Sequence, residues 1–224
     1  MLKLEWDSSF FEKNIYMFEP SANLSVFDSK GAELVYSKVR SDNYQIISKL
    51  CDLGFEYVEG ELEFFDEIES STTDDSNIRL ARKDDYKSLS TLISARFNQS
   101  RFREPWFTAN QREQFYAVWL KNAIDGSFDD ACLLYEVDKT IMGFVTVKVD
   151  EDRLRIGLIG VNSDFQGKGI GSRLIRAAHR YGYSQKCKEI IVSTQSSNVQ
   201  AVNLYIKNGF RLSRSNSWFY WSKQ

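Results

Sequence analysis

The chain has 224 residues, of which 42% are hydrophobic, and it carries a formal net charge of −2 at pH 7. This length suits one large domain or two small ones, and the apolar content is sufficient for a packed core. The nearly balanced charge argues against a protein that attracts nucleic acid or an anionic membrane through an overall positive field. The first residues do not form a basic-then-apolar leader, and no apolar run approaches about 20 residues, so we expect a cytoplasmic protein.

The cysteines and the single histidine limit the chemistry open to the chain. Cys51, Cys132 and Cys187 are widely separated and form no Cys-x-x-Cys pair, so the sequence predicts neither a disulfide framework nor a zinc site. A catalytic cysteine or serine would need a histidine partner, and His179 is the only histidine. We therefore expect reduced structural thiols, no metal, and an exposed His179 without a catalytic part.

A polar segment over residues 67–77 separates two patterned regions and has the composition of a linker. We predict an N-terminal α/β subdomain over residues 1–76 and a second domain over residues 77–224. In the first part, residues 33–39 and 55–65 alternate as strands do, and residues 43–53 have helical spacing with Gly54 as the C-cap. No functional site is evident there.

The second part predicts a succession of strands and helices. Residues 78–81 are typical of a strand, and helices are predicted over residues 84–97, where Asp84 is a candidate cap, and 111–124. Three antiparallel strands follow, at residues 131–137, 141–149 and 154–161, and the first two form a hairpin. The remaining predicted elements are a helix at 168–183, a strand at 189–194, a helix at 198–205 and a closing strand at 218–221.

A glycine-rich segment directly after the strand at 154–161 is the most informative part of the chain. It consists of Gln166, Gly167, Lys168, Gly169, Ile170 and Gly171. Glycines allow successive backbone N–H groups to converge on an anion at a helix N-terminus, where the helix dipole adds to the attraction. The spacing is neither that of a dinucleotide-binding fold nor that of a P-loop. The segment is therefore a candidate cradle for a cofactor diphosphate.

The pattern Gln-x-x-Gly-x-Gly in this segment resembles the acetyl-coenzyme A loop of the GCN5-related N-acetyltransferase (GNAT) family. A second segment is similar to another signature of the same family and contains Asn198, Ala201, Leu204, Tyr205, Gly209 and Phe210. The resemblance implies an α/β fold with a central mixed, mostly antiparallel twisted sheet flanked by helices. It also implies acetyl-coenzyme A as cosubstrate, direct acetyl transfer to an amine without a metal, and a homodimer.

The resemblance implies cofactor-binding roles for the glycine loop, for the strand before it and for Asn198. The glycine loop holds the diphosphate, and the strand before it pairs with the amide-rich pantetheine arm as an added strand would, through Leu158, Ile159, Gly160 and Val161. Asn198 hydrogen-bonds a pantetheine carbonyl, caps its own helix, or does both. Lys168, Arg173 and Arg176 either pair with the 3′-phosphate of coenzyme A or are solvated surface groups.

Tyr205 is the predicted general acid. A neutral phenol can donate its proton to a departing thiolate, and the resemblance implies this role because the matching tyrosine has it in one member group of the family. No general base is evident. The proton of the amine could leave through water or be taken by Glu104, Asp125 or Asp129, and the sequence does not choose among them.

Residues 97–106, 115–119 and 122–129 resemble one member group of the family, and residues 6–11 and 53–61 do so more weakly. This group acetylates the 4-amino group of a dTDP-linked 4-amino-4,6-dideoxyhexose of the fucosamine type. Guanidinium groups clamp diphosphates and aromatic rings stack on bases and sugars. The predicted acceptor-binding residues are therefore Arg101, Arg103, Trp106 and Phe107. The alternative is a loop that Pro105 and Trp106 merely anchor.

The sequence thus predicts an N-acetyltransferase that modifies a dTDP-linked amino sugar for a surface polysaccharide. One alternative is an acetyltransferase for another amine, such as a dTDP-3-amino sugar, a protein N-terminus or a polyamine. A peptide or polyamine enzyme predicts an acidic acceptor groove, which the arginines and rings at residues 101–107 do not match. A second alternative is a non-catalytic acyl-coenzyme A-binding protein, against which the presence of Tyr205 argues.

Overall fold

The computed structural model describes residues 1–20, 27–69, 74–93 and 100–223. The strands are β1 (Leu2–Lys3), β2 (Ile15–Met17), β3 (Leu34–Arg40), β4 (Glu56–Glu67), β5 (Ile78–Leu80), β6 (Ala131–Val137), β7 (Thr140–Asp150), β8 (Arg153–Val161), β9 (Glu189–Gln195) and β10 (Arg211–Ser222). The helices are α1 (Glu5–Phe11), α2 (Tyr44–Asp52), α3 (Tyr86–Ile93), α4 (Ala109–Asp125), α5 (Ile170–Ser184) and α6 (Val199–Lys207).

All ten strands in the described ranges form one sheet, in the order β1-β2-β3-β10-β4-β9-β8-β7-β6-β5. Two neighbouring pairs, β2 with β3 and β8 with β9, are parallel, and the other pairs are antiparallel. The prediction of a mixed, mostly antiparallel sheet flanked by helices is confirmed. The predicted division at residue 76 stays a prediction, and strands from both sides of it lie in this sheet, because β4 pairs with both β9 and β10.

Helices cover both faces of the sheet. On the front face, α1, α3 and α4 pack on side chains such as Tyr36, Leu134 and Tyr220. On the back face, α5 and α6 pack on β4, β7, β8 and β9, while α2 packs on β3 and β10. Alternation along the strands produces this division, since Val35 and Phe219 face the back while their neighbours Tyr36 and Tyr220 face the front.

The helix boundaries have local causes. Helix α4 begins in a capping box, in which Thr108 Oγ1 accepts a hydrogen bond from Gln111 N and Gln111 Oε1 accepts one from Thr108 N. Helix α3 begins at Tyr86 after a short 3-10 turn, and Asp85 rather than the predicted Asp84 accepts the backbone N–H of Arg82. Residues 94–99, which include the end of the predicted helix and the start of the motif at 97–106, lie outside the described residues.

Candidate active site

Strands β8 and β9 pair over only part of their length. Their parallel pairing joins Arg153–Ile156 to Glu189–Val192 and then stops. Strand β8 continues to Val161 alongside β7, and β9 continues to Gln195 alongside β4. The two strands therefore diverge and leave an opening in the sheet, which we call the splay. Its closed end is at Ile156 and Val192, where the pairing stops, and its open end is at Val161 and Gln195. The backbone of Leu158, Ile159, Gly160 and Val161 forms one edge of it, and no strand within the described ranges pairs with that edge.

A β-bulge bends β8 where the splay begins. Val145 and Val147 of β7 lie opposite Ile159 and Ile156, so three residue steps on β8 match two on β7. The N–H of Leu158 donates to Thr146 Oγ1 at 2.9 Å, which satisfies a buried donor that the bulge displaces from the ladder. Because of the extra residue, Ile156 packs in the back core and Leu158 in the front core. The bulge thus turns β8 away from β9.

The glycine loop lies between the end of β8 and α5. Gly167 and Gly169 have φ values of +75° and +77°, in the left-handed region where glycine is favoured. A Cβ at either position would meet no atom within 4 Å, so the space beside the loop is open. Gln166 and Lys168 are exposed, whereas Ile170 is buried in the back core and anchors the first turn of α5. Ile170 could therefore contact a diphosphate only through its backbone, and not through its side chain.

Gly171, the last residue of the glycine motif, has a packing role. A Cβ there would lie 3.1 Å from two methyl carbons of Leu204, so a glycine lets α5 approach α6 closely. This contact brings the helix that starts at the loop next to the helix that carries Tyr205.

Tyr205 lies in α6 and is only 2% exposed. Its ring packs against Phe64 and Phe210, with centroids 5.7 Å from each. Burial raises the pKa of Tyr205 well above its ordinary value, because a phenolate would lose its hydration. The phenol therefore stays protonated at neutral pH, which is the state that a general acid requires.

Asn198 caps α6, which was one of its two expected roles. Its Oδ1 accepts the backbone N–H of Ala201 at 3.2 Å. The side-chain NH2 group makes no hydrogen bond to the described residues, so it could donate to a pantetheine carbonyl. The two roles are compatible.

The predicted acceptor-binding residues divide into a buried set and an exposed one. The Arg101 guanidinium lies between the rings of Phe102 and Trp218, 4.2 and 4.1 Å from their centroids, and donates to the Tyr220 hydroxyl. Burial raises the pKa of the neighbouring Asp7, and the charge of Arg101 opposes that shift. Arg101 is thus already enclosed by protein groups.

Trp106 and Phe107 are also part of the front core. Phe107 is 1% exposed and packs on Phe11, with ring centroids 4.3 Å apart. Trp106 is buried against Tyr220, and its carbonyl accepts a hydrogen bond from Lys13. Stacking of these two rings on a ligand stays a prediction, and their present contacts fix the segment that carries Arg103.

Arg103, in contrast, is an exposed residue whose guanidinium donates to the carbonyl of Val58. Val58 lies three residues before Glu61, at which β4 pairs with the last residue of β9. Arg103 is therefore beyond the open end of the splay and remains accessible to a ligand.

The three carboxylates considered as general bases have different environments. Glu104 is exposed, and Asp125 lies at the end of α4 with a carboxylate oxygen 3.5 Å from Lys83 Nζ. Asp129 is completely buried and lies against Gly157 of β8. The sequence could not separate the three acids, because their distances from β8 depend on how α4 packs on the sheet.

The expectation that His179 is exposed was wrong. Its side chain is 13% exposed, and Nε2 lies 3.4 Å from an oxygen of Asp66. Burial lowers the pKa of His179, and Asp66 opposes that shift. Helix α5 turns this residue toward Phe210 rather than toward solvent, since the ring centroids are 5.7 Å apart.

Arg173 and Arg176 on α5 are exposed, as expected, and Arg180 is half-buried and pairs with Asp74. Arg173 is also paired. It forms an ion pair with Asp75, at 2.9 Å. A 3′-phosphate would have to compete with this carboxylate, so the role of Arg173, like those of Lys168 and Arg176, stays a prediction.

The part of the chain that the structure describes contains neither a metal-binding cluster nor a membrane-spanning helix. No group of three or more histidine, cysteine, aspartate or glutamate residues is arranged to hold a metal ion there. No helix in those ranges is long and apolar enough to cross a membrane. Cys51, Cys132 and Cys187 are free thiols, and the last two are buried.

Comparisons with known proteins identify relatives along most of the chain. Residues 94–210 match the acetyltransferase (GNAT) family. The chain is 32% identical over 222 residues to dTDP-fucosamine acetyltransferase of Escherichia coli O6:H1, a match that covers 97% of this chain and 96% of the relative.

Two solved structures share the fold. The first is a GCN5-related N-acetyltransferase from Sphaerobacter thermophilus, with a TM-score of 0.60 and 14% identity over 84% of this chain and 59% of the other. The second, PaiA N-acetyltransferase from Thermoplasma acidophilum in complex with coenzyme A, has a TM-score of 0.53 and 20% identity over 65% of this chain and 98% of the other. With the splay, the glycine loop and the family match together, the chain belongs to the GNAT family and is an acyl-coenzyme A-dependent N-acetyltransferase.

Proposed function

We propose that the protein transfers acetyl from acetyl-coenzyme A to the 4-amino group of a dTDP-linked 4-amino-4,6-dideoxyhexose of the fucosamine type. The observation that carries this proposal is the similarity to a dTDP-fucosamine acetyltransferase over nearly the whole of both chains. We also propose that the acetylated sugar is used to build a surface polysaccharide, and that the protein is a cytoplasmic homodimer.

The donor would bind along the splay. Its diphosphate would meet the backbone at Gly167 and Gly169, and its pantetheine amides would pair with the edge of β8, which lacks a strand partner in the described ranges. The NH2 group of Asn198 would add a hydrogen bond from the other side. This arrangement would bring the thioester to the bend in β8.

The acceptor would lie on the front face. Ile190 and Val192 pack in the back core, so the alternate residues of β9 face the front, where Ser193 is exposed and Ile191 is only half-buried. The exposed Arg103 beyond the open end of the splay would hold the diphosphate of the nucleotide. The sugar would then extend from Arg103 toward the bend in β8.

The reaction would be a direct transfer. The lone pair of the neutral amine attacks the thioester carbonyl carbon, and the C–S bond breaks as the new C–N bond forms. Tyr205 donates its proton to the departing thiolate, while water takes the proton that the amine loses. Orientation of the two substrates across the splay supplies the remaining acceleration.

The test is free thiol released from acetyl-coenzyme A in the presence of purified protein and one acceptor at a time. The acceptors are dTDP-linked sugars with the amine at carbon 4 or carbon 3, a polyamine and a peptide with a free N-terminus. Rapid release with a 4-amino sugar alone is the expected result. Release with a different acceptor would replace the proposed substrate, and silence with acetyl-coenzyme A still bound would favour a non-catalytic binding protein.

Arg103→Ala tests the acceptor site within the same assay. We expect KM for the dTDP-sugar to rise about tenfold, because one charge-assisted hydrogen bond to phosphate is lost. The matched control is Arg40→Ala, which removes an exposed arginine at the end of β3 that pairs with Asp42. An equal change in both variants would contradict a diphosphate contact at Arg103.

A further inference from the structure

A buried carboxylate lies on the front face beside the point at which β8 leaves β9. Asp129 is 0% exposed, and its Oδ2 accepts the indole N–H of Trp119 at 2.9 Å. Its Oδ1 accepts a hydrogen bond from the Arg155 guanidinium at 3.1 Å. A buried carboxylate is strongly unfavourable unless it is paired in this way. The arrangement therefore depends on Arg155.

Strand β8 makes room for this carboxylate. A Cβ at Gly157 would lie 2.5 Å from Asp129 Oδ2 and 2.7 Å from Thr146 Oγ1, so a larger residue at 157 would displace one of them. Gly157 is also the first residue of β8 beyond its pairing with β9. Because Gly157 has no side chain, the Asp129 carboxylate can lie at the closed end of the splay.

Arg155 is the part of this cluster that reaches solvent. Leu154 and Ile156 pack in the back core, so Arg155 faces the front, directly before the splay. Its side chain is 33% exposed. Asp129 is its one hydrogen-bond partner among the described residues, and a guanidinium has five N–H donors. The Arg155 guanidinium is therefore held in one orientation at the closed end of the splay, and it has further N–H groups that can donate to a ligand.

We infer that Arg155 is a further acceptor-binding residue, and that Asp129 is a positioning residue that holds its guanidinium in place. This inference rests on the proposed function. The thioester would lie at the bend in β8, so the groups of the acceptor nearest to Arg155 are those next to the reacting amine. On a 4-amino-4,6-dideoxyhexose the neighbouring polar group is the hydroxyl at carbon 3, which accepts hydrogen bonds from guanidinium. Prior orientation by Asp129 reduces the side-chain entropy lost on binding.

Arg155→Ala is the first test, and Arg153→Ala is its matched control. Arg153 lies two residues earlier on the same face of β8 and pairs with Glu189, away from the splay. We expect Arg155→Ala to raise KM for the dTDP-4-amino sugar about tenfold, with kcat changed less than threefold, and Arg153→Ala to change neither. Equal effects of the two substitutions would overturn the inference.

A 3-deoxy analogue of the acceptor identifies the contact. The unsubstituted protein should bind it about tenfold more weakly than the 3-hydroxy sugar, and Arg155→Ala should remove that preference. A preference that survives in Arg155→Ala would overturn the assignment of this hydroxyl to Arg155. Calorimetric titration of both sugars without acetyl-coenzyme A gives the same comparison without turnover. Absence of sugar binding by the unsubstituted protein would overturn the inference, whereas the thiol assay alone judges the proposed function.

The positioning role of Asp129 has its own readout. Asp129→Asn keeps an acceptor for Trp119 but removes the charge that holds Arg155, so KM for the sugar should rise. If Asp129 acts through Arg155, then Asp129→Asn should add nothing to KM in the Arg155→Ala background. Additive effects in the double variant would contradict the positioning role. Arg155→Lys, which lacks the planar fork, should resemble Arg155→Ala more than the unsubstituted protein.

Discussion

The glycine loop and the cluster at residues 101–107 were both predicted to bind ligands, yet they differ sharply in packing. The loop is exposed from Gln166 to Gly169, and open space lies beside its glycines. In the cluster, Phe107 is almost fully buried and the Arg101 guanidinium is enclosed by aromatic rings. A site built from backbone groups can be recognised from glycine spacing, because the spacing itself sets the backbone path. Arginines and rings are ambiguous, since they also build cores.

This difference predicts opposite responses to substitution. Changes at the enclosed side chains of the cluster, Arg101, Trp106 and Phe107, should mainly lower the free energy of unfolding, because they remove packed side chains. Changes in the loop should mainly weaken cofactor binding.

Phe107→Ala tests whether the buried rings of the cluster at residues 101–107 stabilise the fold. We expect the free energy of unfolding to fall by about 3–5 kcal/mol, because a fully packed ring is replaced by a cavity. Urea denaturation measures the change. Phe128→Ala is the control, since that residue is 44% exposed and should contribute much less. A change below about 1 kcal/mol at Phe107, accompanied by a raised KM for the sugar, would instead support a direct ligand contact.

Tyr205→Phe tests the group that should act between the two substrates. The substitution keeps the ring against Phe64 and Phe210 but removes the proton, so kcat should fall about 100-fold with little loss of stability. Tyr135→Phe, at another buried tyrosine of the back core, is the control. A kcat within about twofold of the original, under conditions in which chemistry limits the rate, would rule out the general acid role.

The pH profile adds a second check on Tyr205. Because burial raises its pKa, the proton donor should remain protonated through the whole alkaline range in which an ordinary tyrosine begins to ionise, near pH 10. We therefore expect kcat to show no decline from this group between pH 7 and about pH 10. A decline in that range that disappears in Tyr205→Phe would mean that the phenol is far less shielded than its burial indicates.

Gly169→Ala tests whether the exposed glycine loop binds coenzyme A. Alanine at a φ of +77° costs about 1 kcal/mol, and the altered loop should bind coenzyme A at least about tenfold more weakly by calorimetry. Gly126→Ala is a closely matched control, because Gly126 has a φ of +70° at the end of α4 and equally open surroundings. The same coenzyme A affinity in both variants would show that the backbone at Gly169 does not hold the diphosphate.

Substitutions of Asn198 have the smallest expected effect. They distinguish its role as the cap of α6 from a role in binding acetyl-coenzyme A. Asn198→Ala should lower the free energy of unfolding by about 1 kcal/mol through loss of the cap of α6. Asn198→Asp keeps the capping oxygen but removes the NH2 group, so it should preserve stability and raise KM for acetyl-coenzyme A. If the aspartate variant has an unchanged KM, the residue serves only as a cap.

Local patterns explain which elements could be predicted from the sequence. The hairpin of β6 and β7, strand β8, the helix after the glycine loop and the helix at Asn198 all have short-range signals that the structure confirms. The bulge in β8 was missed, although Gly157 within an apolar run is the kind of signal that marks one. The burial of His179 was missed because it depends on Asp66 and Phe210, which are distant in the sequence.

The sequence by itself determined the family, the position of the glycine loop before α5 and most of the strands, because these depend on residue types at short spacing. Tertiary structure alone decided that β4 lies between β9 and β10, that β8 parts from β9 after Ile156, and that Asp129 meets Gly157. Each of these is a contact between segments far apart in the chain, and its existence depends on the packing of the whole sheet. The physical reason is that periodicity reports which face of an element is buried but not which element covers it.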